Sequence, residues 1–215
     1  MIKIIRKINN ALGGTRFYAV HHVCNEEPKV SSCIISEEGF CKFLENKKIV
    51  SVKKGLRRLK STNYVITVDD GLDDTYTYIY QKMKQLKLPF TIFVSADLVG
   101  KPGYITKEQL IEMANDSLVT IGSHGCSHVS LKECKEEFLE YEIIESKQKL
   151  EKIIQRKVEY FAYPFGEYNK QANKMVKRAG YKFAFGVKPR KCNFIIKQIF
   201  RFDLPRYNLT NATKI

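Results

Sequence analysis

The chain has 215 residues, enough for one domain with a substantial core and a small appendage. A hydrophobic content of 44% and an aromatic content of 12% exclude a disordered protein, and no apolar run approaches the length of a membrane span. Lys and Arg number 37 against 23 Asp and Glu, a formal charge of +14 that favours anionic partners such as acidic lipid, phosphorylated sugar carriers or nucleic acid.

The basic groups are short and scattered, as in Lys53-Lys54 with Arg57-Arg58 and again from Lys188 to Lys191. They lack interleaved aromatics or a recognised motif, which argues against nucleic acid. The six cysteines form no C-x-x-C pair and fit reduced thiols better than a zinc ribbon or a disulfide scaffold. Met1 to Ile8 carries charges but no apolar signal region. The expected location is therefore cytoplasmic, with at most a peripheral place at the inner face of the membrane.

Residues 2–12 have the pattern of a short helix, with Ile4, Ile5, Ile8 and Leu12 on one face and basic residues mostly outside it, ended by Gly13-Gly14. Such a stripe suits an anionic membrane surface, docking on the domain or a frayed terminus, the last two at least as well as the first. Phe17 to Val23 reads as the first buried strand. Ser36 caps a helix whose inner face is Phe40, Phe43 and Leu44. Ile49 to Val52 is a short strand, and Lys53 to Lys60 a short basic helix with Leu56 and Leu59 facing inward. The central strand runs from about Asn63 to Asp69, and a helix follows from about Asp73 to Lys87.

Phe90 to Val94 is the next strand. Thr106-Lys-Glu-Gln109 forms a capping box opening a helix to about Asn115. Leu118 to Ile121 is a strand leading to a histidine-bearing loop. Ser130-Leu-Lys-Glu133 has the same capping spacing and opens the longest helix, to about Gln155, with Phe138, Leu139, Ile143 and Leu150 on its apolar side and its charges mostly on a solvated face. Tyr160 to Tyr163 is a strand stopped by Pro164, and Tyr168 to Ala179 a helix with Gly180 at C′. Phe183 to Val187 is the last clear strand, Phe200 to Leu209 is extended, and the end is loose. Alternating strands and helices indicate an α/β fold, a parallel layer or a barrel. The expected organisation is a basic segment over 1–14, a catalytic domain over 15–209 and a tail over 210–215.

Two stretches carry chemistry. Tyr64-Val-Ile-Thr-Val-Asp-Asp-Gly71 ends a β-branched run in two carboxylates and a glycine, at the strand end where α/β folds place their sites. Adjacent carboxylates in one site need a cation or strong donors to stay ionised. His124 and His128 are four residues apart on a tight glycine-containing loop or helical turn, which brings two imidazoles to one side. With Asp70 they make a two-histidine, one-carboxylate set with open positions. It suits one divalent metal, Zn²⁺ first, with Co²⁺, Ni²⁺ or Fe²⁺ also compatible.

These residues resemble the polysaccharide deacetylases of the NodB-homology group, carbohydrate esterase family 4. Members carry Thr-Phe-Asp-Asp-Gly, then His-(Ser/Thr)-x-x-His, then a proline-containing groove motif. This chain has Thr67-Val-Asp-Asp-Gly71, His124-Gly-Cys-Ser-His128 and Phe161-Ala-Tyr-Pro-Phe-Gly166, and the likeness runs from about 17 to 209. The resemblance implies a distorted (β/α) barrel, with Asp70, His124 and His128 on the metal and Asp69 as the catalytic base. Tyr163, Pro164 and Phe165 would line the groove; the Tyr163 and Phe165 rings suit either the two faces of a sugar or an ordinary core or rim position.

Three departures bear on mechanism. Val68 replaces the usual aromatic residue. The groove motif lacks the arginine many members have before its proline, and Arg206 in Leu204-Pro-Arg-Tyr-Asn208 is the candidate to orient Asp69 instead. No histidine follows His128, where many members have a late acid. One branch, similar to exopolysaccharide (poly-N-acetylglucosamine) deacetylases, carries the acid in an early Tyr-His-x-Val strand, which Val20-His-His-Val23 matches with Val for Tyr. Strand alternation does not choose between His21 and His22, since both faces are apolar; the resemblance aligns the acid with His21. The implied activity is metal-dependent removal of an N-acetyl, formyl or other N-acyl group from an amino sugar in a carbohydrate or lipid-linked glycan. The rival is a catalytically weak module that binds carbohydrate or a lipid carrier.

Overall fold

The computed structural model describes residues 14–25, 34–57 and 61–213. The expected segment at 2–12, Leu59 and much of the loop after Cys24 lie outside them. The main sheet has seven strands in the order β8-β7-β6-β5-β4-β1-β9, all parallel: β1 (Gly14–Val20), β4 (Thr62–Val68), β5 (Phe90–Val94), β6 (Val119–Ser123), β7 (Tyr160–Ala162), β8 (Phe183–Phe185) and β9 (Tyr207–Asn208). A second, two-stranded sheet pairs β2 (His22–Cys24) with β3 (Ile34–Ser36).

The sheet curls into the expected distorted barrel, and its last segment explains how. Leu204 bridges Phe185 at one edge, while Tyr207 and Asn208 pair with β1 at the other, so residues 204–208 span the gap between the two edges. Leu204 N–H donates to Ala184 O at 2.8 Å, and Leu209 N–H to Ala19 O at 2.8 Å. Strand alternation sorts the core into two parts. Phe17, Val65, Phe93 and Phe185 belong to a smaller cluster inside the curl. Their rings meet, Phe17 with Phe185 at 5.2 Å and Phe93 with Phe185 at 5.4 Å. Tyr18, Ile66, Val68 and Ile92 face the other way, into a larger cluster with the helices.

The helices are α1 (Glu37–Leu44), α2 (Val52–Gly55), α3 (Gln81–Gln85, continuing a π-helical turn, Thr75–Tyr80), α4 (Lys107–Asn115), α5 (Glu136–Glu140), α6 (Ser146–Ile154), α7 (Lys170–Arg178) and α8 (Phe194–Ile199). A π-helical turn, Tyr141–Glu145, joins α5 to α6. Ser36 caps α1 by accepting from Gly39 N–H, and Thr106 and Gln109 form the complete capping box on α4. None of the described helices is long and apolar enough to cross a membrane.

Several local expectations change. The first strand breaks at His21, so Phe17 to Val23 is two strands in two sheets, and the assumed alternation through His21 and His22 does not hold. Ile49 makes only a bridge to Tyr64, and α2 is a single turn. The longest helix starts at Glu136 and not near Ser130, because Ser130 Oγ is engaged by the Glu167 carboxylate at 2.5 Å. Phe138 is 43% exposed and stacks on Tyr141, outside the core. Helix α8 occupies a stretch for which no element was expected. Asn211 Oδ1 accepts from Ser36 N–H at 3.0 Å, tying the start of the tail to the head of α1. Cys41, Cys126, Cys134 and Cys192 are free thiols.

Candidate active site

The carboxylates of the Asp-Asp-Gly motif, the Tyr163 to Phe165 stretch, His124 and His21 each sit just past the C-terminal end of a parallel strand. His21 follows β1, Asp69 and Asp70 follow β4, His124 follows β6, and Tyr163 to Phe165 follow β7. Parallel strands make this convergence unavoidable: all their C-terminal ends lie on one rim. Backbone bonds extend the ladder into the site, with Asp69 N–H donating to Val20 O at 2.8 Å and His124 N–H to Val94 O at 2.9 Å. Three non-glycine residues here have left-handed backbones: Asp70 (φ 73°), His128 (φ 57°) and Phe165 (φ 58°). Such conformations cost of order 1–3 kcal/mol each and persist only where the surroundings hold them.

Asp69 is buried and gripped by an equally buried Arg206. Arg206 Nη1 donates to Oδ1 at 2.6 Å and Nη2 to Oδ2 at 2.8 Å. The guanidinium is fixed in turn by Thr67 Oγ1 at 3.0 Å and Gly186 O at 2.9 Å, and it lies over the Phe93 ring. Burial alone would raise the Asp69 pKa, but the charge of Arg206, with His124 and His21, pulls it below the usual carboxylate range. Arg206 reaches Asp69 from the segment that spans the two edges of the sheet.

Asp70, His124 and His128 converge. Their ligating atoms all lie within 4.8 Å of one another. Asp70 Oδ1 is 3.0 Å from His128 Nε2 and 3.4 Å from His124 Nε2, yet it is buried and accepts no aligned hydrogen bond. His124 Nδ1 is 2.8 Å from Ala162 O, which fixes that nitrogen as the N–H and leaves Nε2 as the free lone pair. A carboxylate oxygen without a donor, facing two Nε2 atoms, is a donor set that fits a divalent cation. Burial would raise Asp70, but the two imidazoles hold it well below the usual range; burial would lower His128, but Asp70 raises it.

His21 and His22 are separated by the strand break. His21 Nε2 lies 3.9 Å from Asp69 Oδ2, facing the site, and burial lowers its pKa against the pull of Asp69 and Asp70. His22 Nδ1 instead lies 3.1 Å from Asp74 Oδ2, which also accepts from Val23 N–H at 2.7 Å. The groove motif divides. Phe165 is 60% exposed and packs on the His128 ring, with centroids 4.7 Å apart. Tyr163 is fully buried, its hydroxyl donating to Phe202 O at 3.0 Å, and Pro164 is buried beside it. Of the two settings open to the Tyr163 ring, sugar face or core, it takes the core, stacked on Tyr168.

The polysaccharide deacetylase family model matches residues 57–184, more than half of the chain and both the Asp-Asp-Gly and histidine motifs. The chain belongs to the polysaccharide deacetylase family. Over 125 residues it is 29% identical to YxkH of Bacillus subtilis (strain 168), covering 58% of this chain and 44% of that protein. Over 180 residues it is 28% identical to the poly-beta-1,6-N-acetyl-D-glucosamine N-deacetylase of Staphylococcus aureus (strain MSSA476), covering 75% of this chain and 62% of the relative. The chain thus spans about half the length of these curated relatives. Among solved structures, Streptococcus pyogenes deacetylase PplD in complex with acetate superposes with a TM-score of 0.82 at 20% identity, over 92% of this chain and 93% of that one. IcaB from Ammonifex degensii gives 0.78 at 22%, over 92% of each. These structural likenesses establish the NodB-type barrel, and the S. aureus relative accords with the exopolysaccharide branch that the early histidine strand resembles.

Two residues with clear roles in the site's architecture went unassigned from sequence, Asp74 and Glu142. Glu142 reads as part of a charged helix face, although it adjoins the inward positions Leu139, Ile143 and Ser146. A lone carboxylate among inward positions was the available signal.

Proposed function

We propose that this family member is a metal-dependent hydrolase that removes an N-acetyl or other N-acyl group from an amino sugar in a glycan or glycan precursor. The single observation that carries the reading is the buried, donor-less Asp70 Oδ1 facing His124 Nε2 and His128 Nε2, beside an Arg206-held Asp69. Asp70, His124 and His128 would hold one divalent metal, with Zn²⁺ the best match to the donors. Such an ion polarises the amide carbonyl and acidifies water.

The chain's own residues supply the proton traffic. Asp69, kept ionised by Arg206, takes the proton of the attacking water at the carboxylate oxygen nearest the histidines. His21 Nε2 faces the same space and gives a proton to the leaving amine nitrogen. His22 is turned to Asp74. Tyr163 N–H is committed to Phe185 O, Gly166 N–H to Tyr163 O, and Pro164 has none. The Phe165 N–H is the donor we assign to the developing oxyanion. The exposed Phe165 ring is the face on which a sugar packs.

The S. aureus relative's substrate class makes β-1,6-linked N-acetylglucosamine oligomers the first to try. Metal-loaded protein should release acetate and leave free amines, detected by mass spectrometry, and chelator should stop it. Absence of amine product from these oligomers, from lipid-linked acetamido sugars and from nucleotide-linked ones would refute the reading.

A further inference from the structure

Glu142 is a carboxylate with no exposed surface and, among the described residues, no cation paired to it. Its partners all belong to the short loop between the two candidate metal-ligand histidines. Oε2 accepts from Cys126 N–H at 2.8 Å and Ser127 N–H at 3.1 Å, and Oε1 accepts from Ser127 Oγ at 2.5 Å. Gly125 leaves the space for it: a Cβ there would meet Glu142 Oε2 at 2.7 Å, and its φ of +85° suits glycine.

The helix is built to deliver this group. Glu142 sits in the π-helical turn Tyr141–Glu145, where the i→i+4 ladder is interrupted. Tyr141 O, in the same turn, accepts from Cys126 Sγ at 3.2 Å. One helical turn thus holds two consecutive loop positions between His124 and His128, Cys126 and Ser127. The loop needs holding, because it ends in His128 with a left-handed backbone. A buried carboxylate spends its bonding capacity on two loop amides and a hydroxyl only if their placement matters, since removing a charge from water is costly unless several donors replace the solvent.

We infer that Glu142 is the positioning residue of the metal centre: it sets the loop so that both imidazoles present Nε2 toward Asp70, and its fixed negative charge favours a cation there. This rests on the metal reading of the preceding subsection. It predicts an effect on metal affinity that exceeds any effect of general destabilisation.

The test is calorimetric titration of chelator-stripped protein with Zn²⁺ and with Co²⁺. Glu142→Gln keeps the size of the side chain, removes the charge and puts an NH₂ group in place of one acceptor oxygen. It should weaken metal affinity by about 10–100-fold, the range for groups that orient ligands from behind. Leu150→Ala, a core truncation on α6, is the control for stability and should bind metal as the wild type does. Equal affinity in Glu142→Gln and wild type overturns the inference. So does a loss no greater than that of Leu150→Ala. If Glu142→Gln does not fold, Ser127→Ala decides by removing one contact: a fall of about 3-fold or more supports the inference, and unchanged affinity overturns it. Wild-type protein that binds neither metal refutes the metal reading itself and this inference with it. Tight wild-type binding with an unaffected variant sinks this inference alone.

Discussion

Replacing Arg206 with Met tests the reading most sharply, because the pair it breaks is both structural and chemical. Arg206 is fully buried and holds Asp69 with two bonds of 2.6 and 2.8 Å. Removing one partner of such a pair leaves an uncompensated buried charge, a cost of about 3–5 kcal/mol at neutral pH. The sign with pH follows from the depressed Asp69 pKa. In the wild type, ionised Asp69 contributes stability above its unfolded value, and that contribution is lost as pH falls through the lower folded value. Without Arg206 the burial that opposes ionisation prevails, so the variant's Asp69 protonates more readily. The stability gap between wild type and Arg206→Met, measured by urea unfolding, should therefore narrow as pH drops below about 4. Activity should shift in the same sense. As the proposed base, Asp69 works only when ionised, so the acid limb of kcat/KM should move to higher pH by about one unit or more, each unit being about 1.4 kcal/mol of differential stabilisation. A folded Arg206→Met protein with an unmoved acid limb would refute Arg206 as the group that sets Asp69.

His21→Ala should remove the alkaline limb of the pH–rate profile and cut kcat while metal stays bound, and His22→Ala should do much less; the reverse pattern would transfer the acid role to His22. Asp69→Asn should retain metal but lose about 10²-fold or more in kcat, whereas His124→Ala should lose metal as well, as read by metal analysis after dialysis. Phe165→Ala should raise KM for an oligosaccharide with a smaller effect on kcat, since its ring is exposed beside His128; an unchanged KM would remove it from the substrate surface. Phe185→Ala empties the centre of the barrel interior, where it touches Phe17 and Phe93, and should cost about 3–5 kcal/mol in chemical denaturation.

The sequence by itself determined the alternation of strands and helices, the limits of β5, the caps on α1 and α4, and the order of the Asp-Asp-Gly, His-x-x-x-His and groove motifs. These features are local: periodicity, capping chemistry and motif spacing act within a few residues of chain. A parallel sheet then gathers strand ends on one rim, so the candidate ligands were legible before any coordinate. What only the tertiary structure decided depends on contacts distant in sequence. The carboxylate of Glu167 draws Ser130 away from a helix cap. The pairing of β2 with β3 breaks the first strand at His21 and turns His22 to Asp74. Tyr163 is taken into the core while its near neighbour Phe165 is left outside. Arg206 reaches Asp69, 137 residues away, because one segment bonds to both edges of the curled sheet. Glu142 looks like any charge on an amphipathic helix until the His124–His128 loop is folded over it. Side-chain type is written in the sequence, but which buried donor meets which buried acceptor is fixed only when burial leaves each of them no water to bond.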